Sequence, residues 1–221
     1  MTALALEFRA VRETADFGFL AKEFLLRRVD PISAHTDVPR TVRQQAADLA
    51  SEPLDIVFAY CSCAALGAHV AELSGARLVL IDADVVTPEA IRRDVRRLCE
   101  SLGAPHSKDP ETAFAAVRND LATLHGGDEQ AYEMVDELFG RYRAWLRFLT
   151  AAATAEPATP TGGITVIAGK PLPDLGKLLV EPARVELFLV TPESATLESP
   201  EVRAHLRDHL TPGWSPAARL A

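Results

Sequence analysis

The sequence predicts an α/β fold, with a doubly wound and mostly parallel sheet and a helical insertion. Short runs rich in Val, Ile, Leu and Phe recur along the chain, as is typical of strands buried on both faces of a parallel sheet. Segments with apolar residues at helical spacing separate most of these runs. Strands that alternate with helices favour right-handed crossover connections, and hence a parallel sheet.

Five segments have the composition of buried strands. They are LEFRAV (6–11), DIVFAY (55–60), RLVLID (77–82), ITVIAG (164–169) and VELFLV (185–190). Apolar spacing predicts helices over residues 17–27, behind Asp16 as a candidate N-cap, and over residues 41–51. A further helix follows Cys61, and its many alanines would let it lie close to a sheet.

Residues 88–153 contain no convincing strand, and we interpret them as a helical lid insertion. Three helices are predicted there, opening at Thr87-Pro88, at Asp109-Pro110 and at Asp128, the last extending to about Thr150. Thr and Asp suit the N-cap position, and Pro suits the first helical position. A chain of 221 residues is long enough for one well-buried core, so we expect a single domain over residues 1–221 that contains this insertion.

Charge and composition disfavour several classes of partner. The formal net charge is −8 and the sequence pI is about 5.3, so we expect no general affinity for nucleic acid or for anionic membranes. The sequence has no run of about 18 apolar residues, and its first residues meet charged side chains too early for a signal peptide. We therefore expect a cytoplasmic protein, in which three cysteines are thiols and not a disulfide framework.

The stretch DIVFAYCSCAALGAHVAELSG (55–75) predicts a buried strand that turns sharply into a helix, with Cys61 at the turn. Such a corner is the arrangement of a nucleophile elbow, in which a strained turn exposes a reactive side chain above the sheet. The amino terminus of the following helix directs backbone N–H groups and positive potential toward a developing oxyanion. A cysteine at this place would have its thiolate form favoured.

This corner resembles the thioesterase branch of the α/β-hydrolases, whose members release or edit acyl chains on polyketide and nonribosomal peptide carrier proteins. The family elbow is Gly-x-Ser-x-Gly, and here the five positions are Ala59-Tyr60-Cys61-Ser62-Cys63. Cys61 stands at the place of the nucleophilic serine, so the resemblance implies that Cys61 attacks the thioester. It also implies an α/β-hydrolase fold with a helical lid, and backbone N–H groups near Ser62 as the oxyanion hole.

The resemblance extends to RLVLIDAD, where Asp82 matches the aspartate that orients the catalytic histidine and Asp84 is a nearby substitute. Other parts of the family pattern are altered. The last strand of the family runs into Gly-x-His, but register places Ser194 at the histidine here.

The two histidines further on, at positions 205 and 209, fall within the predicted final helix, beyond that loop. The Gly-rich stretch that follows the first strand in the family is reduced to a lone Gly18. Ala59 and Cys63 add β-carbons where the family has the elbow glycines. The resemblance therefore implies a degenerate active site.

Two hypotheses of different classes follow from this resemblance. The first is an enzyme that acts on acyl or aminoacyl thioesters presented on phosphopantetheine by an acyl or peptidyl carrier protein or a synthase, with no cofactor or metal of its own. Cys61 would be the nucleophile and Asp82 would support the base, with hydrolysis or acyl transfer as the outcome. The second is a catalytically inactive protein that binds a carrier protein, a synthase or an acyl ligand. A generic small-molecule esterase would need the same missing histidine.

Structural interpretations of the same residues remain open. Cys61 is alternatively a small buried side chain at a strand end, since free cysteine is among the most buried residue types. Cys63 and Cys99 are expected to be packing residues, and Asp82 is alternatively the cap of a turn. A zinc site of Cys61 and Cys63 with His69 or Cys99 lacks two further ligands at zinc-finger spacing.

Overall fold

Six strands form one parallel sheet, and helices cover both of its faces. The computed structural model describes residues 1–8, 16–32, 40–101, 103, 109–169, 171–180, 185–190 and 196–210. Its strands are β1 (Thr2–Leu6), β2 (Leu25–Val29), β3 (Ile56–Tyr60), β4 (Arg77–Ile81), β5 (Ile164–Ala168) and β6 (Val185–Leu189). They lie in the order β2-β1-β3-β4-β5-β6, and every neighbouring pair is parallel. The predicted α/β fold class with a parallel sheet is confirmed.

The described residues contain six α-helices, which connect or follow these strands. They are α1 (Val42–Leu49), α2 (Ala64–Ser74), α3 (Pro88–Ser101), α4 (Pro110–Leu124), α5 (Glu129–Ala153) and α6 (Pro200–Leu210). Helices α3 to α5 all lie in the connection between β4 and β5, so the described residues of the segment 88–153 form the three predicted helices and the turns next to them. In the described part of the chain, no helix is both long enough and apolar enough to span a bilayer.

The described residues near the amino end differ from the sequence prediction. The first strand is Thr2–Leu6 and ends where the predicted run LEFRAV begins, and residues 9–11 of that run lie outside the described residues. The predicted helix over residues 17–27 is wrong, because a short 3₁₀ helix at Phe17–Lys22 is followed by the strand β2. Asp16 does cap the 3₁₀ helix by accepting a hydrogen bond from the Gly18 N–H. Pairing of residues 25–29 with β1 satisfies their backbone groups in the sheet, which outweighs the local helical spacing.

Alternate residues of the central strands enter two separate cores, as the pleat of a strand requires. On one face, side chains such as Leu4, Val57 and Leu78 pack against α1, α2 and α5. On the other face, Phe58, Val79 and their neighbours pack against the 3₁₀ helix at Phe17–Lys22 and against α6. The long continuous apolar runs in the sequence therefore correspond to strands covered on both sides.

Helices α3, α4 and α5 share a small apolar core of their own, in which Phe114 stacks on Phe139 with 4.3 Å between ring centroids. The predicted caps Thr87 and Asp109 are present: the Thr87 hydroxyl accepts the Ala90 N–H, and the Asp109 side chain accepts the N–H groups of Glu111 and Thr112. Asp128, where the third helix was predicted to open, caps α5 by accepting the Ala131 N–H. Near its carboxyl end α5 also contributes aromatic side chains to the core beside the sheet. The helical segment is thus anchored to the sheet by α5.

Helix α2 lies unusually close to the sheet. Its residues 64–71 are all buried, and the approach is closest where Gly67 faces Ala59 of β3. A β-carbon added at Gly67 would lie 2.5 Å from the β-carbon of Ala59, which is far inside normal contact distance. The side chain that Ala59 adds at an elbow-glycine position is thus accommodated by a glycine on the facing helix.

Gly67→Ala is expected to lower the free energy of unfolding by about 1–3 kcal/mol, because the new methyl group overpacks this contact. The double variant Gly67→Ala/Ala59→Gly should recover most of the loss. Gly140→Ala is the matched control: that glycine is exposed in α5 with open space around its Cα, so the change should stabilise the protein by about 1 kcal/mol. Urea denaturation measures all three effects, and a Gly67→Ala variant as stable as the parent protein would contradict the close contact.

Candidate functional site

The turn between β3 and α2 holds Cys61 in a strained conformation. Strand β3 ends at Tyr60, residues Cys61–Cys63 form one 3₁₀ turn, and α2 begins immediately at Ala64. Cys61 has φ 52°, in the left-handed region that side chains rarely adopt. This conformation costs an L-residue about 1–2 kcal/mol relative to the right-handed region. The Asp84 N–H donates to the Cys61 carbonyl over 3.1 Å and links the turn to the segment after β4.

The Cys61 side chain is half-buried and lines a cavity of about 170 Å³ at the carboxyl edge of the sheet. Phe8 lies on one side of this cavity, and α3 and α5 close it from above. Its polar lining consists of the Cys61 thiol, Ser62, Tyr60, Asp84 and Asp94, and its apolar lining comes from Phe8, Val86, Ala90, Ile91, Trp145 and Leu149. The cavity thus brings a thiol together with carboxylates and an apolar wall, and we name it the Cys61 cavity.

The backbone N–H groups that follow Cys61 lie at the amino end of α2. Within the turn, the Ala64 N–H donates a hydrogen bond to the Cys61 carbonyl. The N–H groups of Ser62 and Cys63 precede it and so have no acceptor within the turn. Such groups, with the positive end of the α2 dipole, can stabilise negative charge that develops next to the Cys61 sulfur.

Asp82 follows β4 and lies beside this cavity without lining it. It is also left-handed, with φ 46°, and it is buried. Its carboxylate accepts the Gly169 N–H at 2.9 Å, and its own N–H donates to the Ile167 carbonyl at 2.9 Å. Both bonds tie the end of β4 to the end of β5, so Asp82 has at least a structural role.

Tyr60 precedes the nucleophile position and contributes a phenol to the cavity wall. Burial raises the pKa of Tyr60 to about 12, and the nearby negative charges of Asp82 and of a Cys61 thiolate add to this rise. The phenol therefore stays protonated throughout the physiological range and can only act as a neutral hydrogen-bond donor or acceptor.

The three cysteines differ in access. Cys63 is fully buried, and burial raises the pKa of its thiol well above the usual value. Cys99 is also fully buried, as expected for a packing residue. Cys61, by contrast, is partly exposed and lines the Cys61 cavity.

No described histidine lines the Cys61 cavity. His69 lies in α2 and makes contacts with Glu72 and with the Glu156 carbonyl, while His205 of α6 stacks on Phe188 across the other face of the sheet. His125 ends α4 and lies in a separate groove. The predicted histidine position, Ser194, lies outside the described residues, as do His35 and His106.

Several residues of the site were not predicted from the sequence. The wall residues Phe8, Asp94 and Trp145 come from three elements that are distant along the chain. Glu7, the residue before Phe8, does not line the cavity; it is fully buried and is paired with Arg28, whose Nε lies 2.6 Å from its carboxylate. The only sequence signal for Glu7 was a charged residue inside an otherwise apolar run. No group of three or more His, Cys, Asp or Glu in the described part of the chain is arranged to hold a metal ion.

Two larger hollows lie elsewhere on the helices. One of about 540 Å³ is bordered by the amino termini of α1 and α4 and by α5, and one of about 330 Å³ lies between α4 and α5. Neither includes a residue of the Cys61 turn. Because a reaction needs reactive groups as well as space, the smaller Cys61 cavity is the candidate site.

Comparisons with known proteins show the fold. No protein-family model matches the sequence, and no curated protein matches it. Among solved structures, the chain is similar to the holo form of a four-domain nonribosomal peptide synthetase bound to AMP and glycine, with a TM-score of 0.56 and 14% identity. The match covers 95% of this chain and 19% of that chain, so the chain spans about a fifth of the synthetase's length. A similarity at this level of identity establishes a shared fold.

Replacing Cys61 by glycine should relieve the strain of the turn. Glycine adopts positive φ without the clash of a β-carbon, so Cys61→Gly should be about 1 kcal/mol more stable to unfolding than Cys61→Ala. Comparing these two variants removes the contribution of the sulfur itself. Equal denaturation midpoints for the two would contradict a left-handed residue 61.

Native alkylation should distinguish the three thiols. Iodoacetamide at neutral pH is expected to modify Cys61 first, because Cys63 and Cys99 are fully buried. Intact-mass spectra should show a single fast adduct that is lost in Cys61→Ala and kept in Cys99→Ala. Equally fast labelling of all three cysteines would show that the turn opens to solvent.

Proposed function

We propose that this protein is thioesterase-like and acts through Cys61 on acyl or aminoacyl thioesters carried on phosphopantetheine. The observation that carries the proposal is the half-buried thiol of Cys61, held at a left-handed turn between a central strand and a helix and lining the Cys61 cavity. The similarity to a nonribosomal peptide synthetase chain supports a setting in nonribosomal peptide-type biosynthesis. The partner in this proposal is an acyl or peptidyl carrier protein, or a synthase that contains one.

The arrangement of elements supports an α/β-hydrolase assignment within this proposal. The candidate nucleophile follows the third strand, the candidate acid follows the fourth, and the helical segment 88–153 contributes α3 and α5 to the roof of the Cys61 cavity. We propose that this segment acts as the lid of the site. An acyl chain would then lie against Trp145, Leu149 and Ile91, whose apolar surfaces exclude water.

The proposed chemistry begins with the Cys61 thiolate. Its sulfur attacks the thioester carbonyl carbon and forms a tetrahedral oxyanion next to the N–H groups of Ser62 and Cys63. Collapse of this intermediate breaks the bond to the phosphopantetheine sulfur, which leaves as a thiolate and takes up the proton that Cys61 lost. The acyl group is now on Cys61 and the carrier thiol is free. A second thiol can then receive the acyl group, or water can hydrolyse it.

Transfer between thiols is favoured over hydrolysis in this proposal. A cysteine has an unperturbed pKa of about 8.5, so a fraction of it is ionised near neutral pH without a base. Water at neutral pH needs a general base, and no described histidine lines the cavity. Asp82 would support such a base if one approaches, although its carboxylate also accepts the Gly169 N–H.

A second candidate is a catalytically inactive protein that binds a carrier protein, a synthase or an acyl ligand through the same cavity. The observation that favours it is the same use of the Asp82 carboxylate by the backbone of Gly169, in a cavity without a described imidazole. This candidate predicts that binding survives when the thiol is removed.

Incubation with an acetyl-loaded carrier protein tests the enzyme proposal. The expected result is an acetyl adduct on Cys61 by intact mass and peptide mapping, with release of the holo carrier. Cys61→Ala should abolish the adduct, whereas Cys63→Ala, a matched loss of a neighbouring thiol, should retain it. Carrier binding without any adduct or turnover would favour the inactive candidate, and neither binding nor adduct would contradict both.

A further inference from the structure

Helix α3 presents four exposed arginines outside the Cys61 cavity. Ala90, Ile91 and Asp94 of this helix line the cavity. Helical spacing places Arg92 and Arg96 on the side opposite these residues, and Arg93 and Arg97 on the adjoining flank. We name these four residues, Arg92, Arg93, Arg96 and Arg97, the arginine face.

Three of the four arginines form no ion pair among the described residues. Arg92 pairs with Glu89 at 2.5 Å, but Arg93, Arg96 and Arg97 make no ion pair with any residue in the described ranges. Glu89 and Glu100 are also exposed on α3, three or four residues from these arginines, so they offset part of the positive charge. The exposed part of the helix keeps an excess of positive charge, because four arginines stand against these two glutamates.

Most arginines of the neighbouring helices α4 and α5 form ion pairs. Three of the four arginines of α4 and α5 are each paired with a carboxylate: Arg118 with Asp136, Arg141 with Glu137 and Arg143 with Glu111. The fourth, Arg147, is exposed and unpaired among the described residues. A cluster of unpaired arginines is thus a property of α3 within this helical segment.

A positive surface in a chain of net charge −8 suits a partner with a local negative charge. An RNA or DNA partner is disfavoured, because a few arginines oppose a strongly acidic whole protein. A membrane surface is disfavoured as well, because the arginine face has no large apolar side chains to insert between lipids. An acidic protein surface remains as the complementary partner.

We propose that the arginine face of α3 docks an acidic surface of the carrier protein that delivers the acyl group to Cys61. This inference rests on the proposed function, because it assigns the docking surface for the same site. The helix that binds the carrier protein also lines the Cys61 cavity. Helix α3 would therefore contact both the carrier protein and its phosphopantetheine arm. Since the arginines are exposed, they act mainly on the rate of association, and added salt weakens their effect.

Binding of an acidic acyl carrier protein, acetyl-loaded and fluorescently labelled, tests the docking surface directly. Charge reversal by Arg93→Glu, Arg96→Glu or Arg97→Glu should each weaken binding at low salt by about three- to tenfold, and the difference should shrink as salt is added. Arg147→Glu is the matched control, since it makes the same change at an exposed, unpaired arginine on α5, and it should leave the affinity nearly unchanged.

A second substrate separates docking from chemistry. Acetyl pantetheine carries the arm without the protein, so acetylation of Cys61 by it should be the same in the parent and in the arginine variants. If the arginine variants lost as much reaction with acetyl pantetheine as with the acetyl-loaded carrier, the variants would be disturbing the cavity, and the inference would be overturned.

Other results also decide the inference. Unchanged carrier affinity in all three variants, or an equal loss in Arg147→Glu, would overturn it. The inference would also be overturned if the parent protein bound phosphatidylglycerol vesicles or an oligonucleotide through these arginines and did not bind the carrier. Carrier binding that depends on the arginines, without acetylation of Cys61 from either substrate, would support docking and count against the proposed chemistry.

Discussion

The site depends on one packing constraint, the close approach of α2 to β3. A helix whose residues 64–71 are all buried can begin directly after a central strand only if the chain reverses within a few residues. Gly67 allows the approach, and Ala59 fills the space opposite it. The short turn that results forces Cys61 into the left-handed region and directs its thiol toward the edge of the sheet. The half-buried thiol, and the N–H groups beside it that have no acceptor within the turn, are therefore consequences of the same packing.

The parallel sheet explains why the remaining residues of the cavity are distant in sequence. All parallel strands end at one edge, so the residues that follow β1, β3 and β4 meet there. Helices α3 and α5 then cover this edge with apolar side chains. Burial at this edge raises the pKa of Tyr60, and the same exclusion of water would strengthen electrostatic interactions with a bound thioester.

Features set by short stretches of chain were predictable, and features set by pairing between distant segments were not. The strands β3 to β6 and the caps Thr87 and Asp109 follow from local composition and spacing. Strand β2 was missed because residues 17–27 also have helical spacing, and their pairing with Thr2–Leu6 decides the outcome. The Cys61 turn was predictable from a strand followed by alanines. The walls Phe8 and Trp145 were not, because no local pattern joins residues 8 and 145.

The conformation of residue 61 is itself an argument about function. A glycine at this turn would avoid a strain of about 1–2 kcal/mol, which is appreciable against the net stability of a domain. A side chain held at such a position is favourable only where the side chain is useful, and strained residues of this kind cluster at active sites and ligand clamps. Serine at this position would need a base to become nucleophilic, whereas cysteine ionises more readily. The proposed thiol chemistry at Cys61 would thus depend less on a neighbouring histidine than the chemistry of a serine at the same turn.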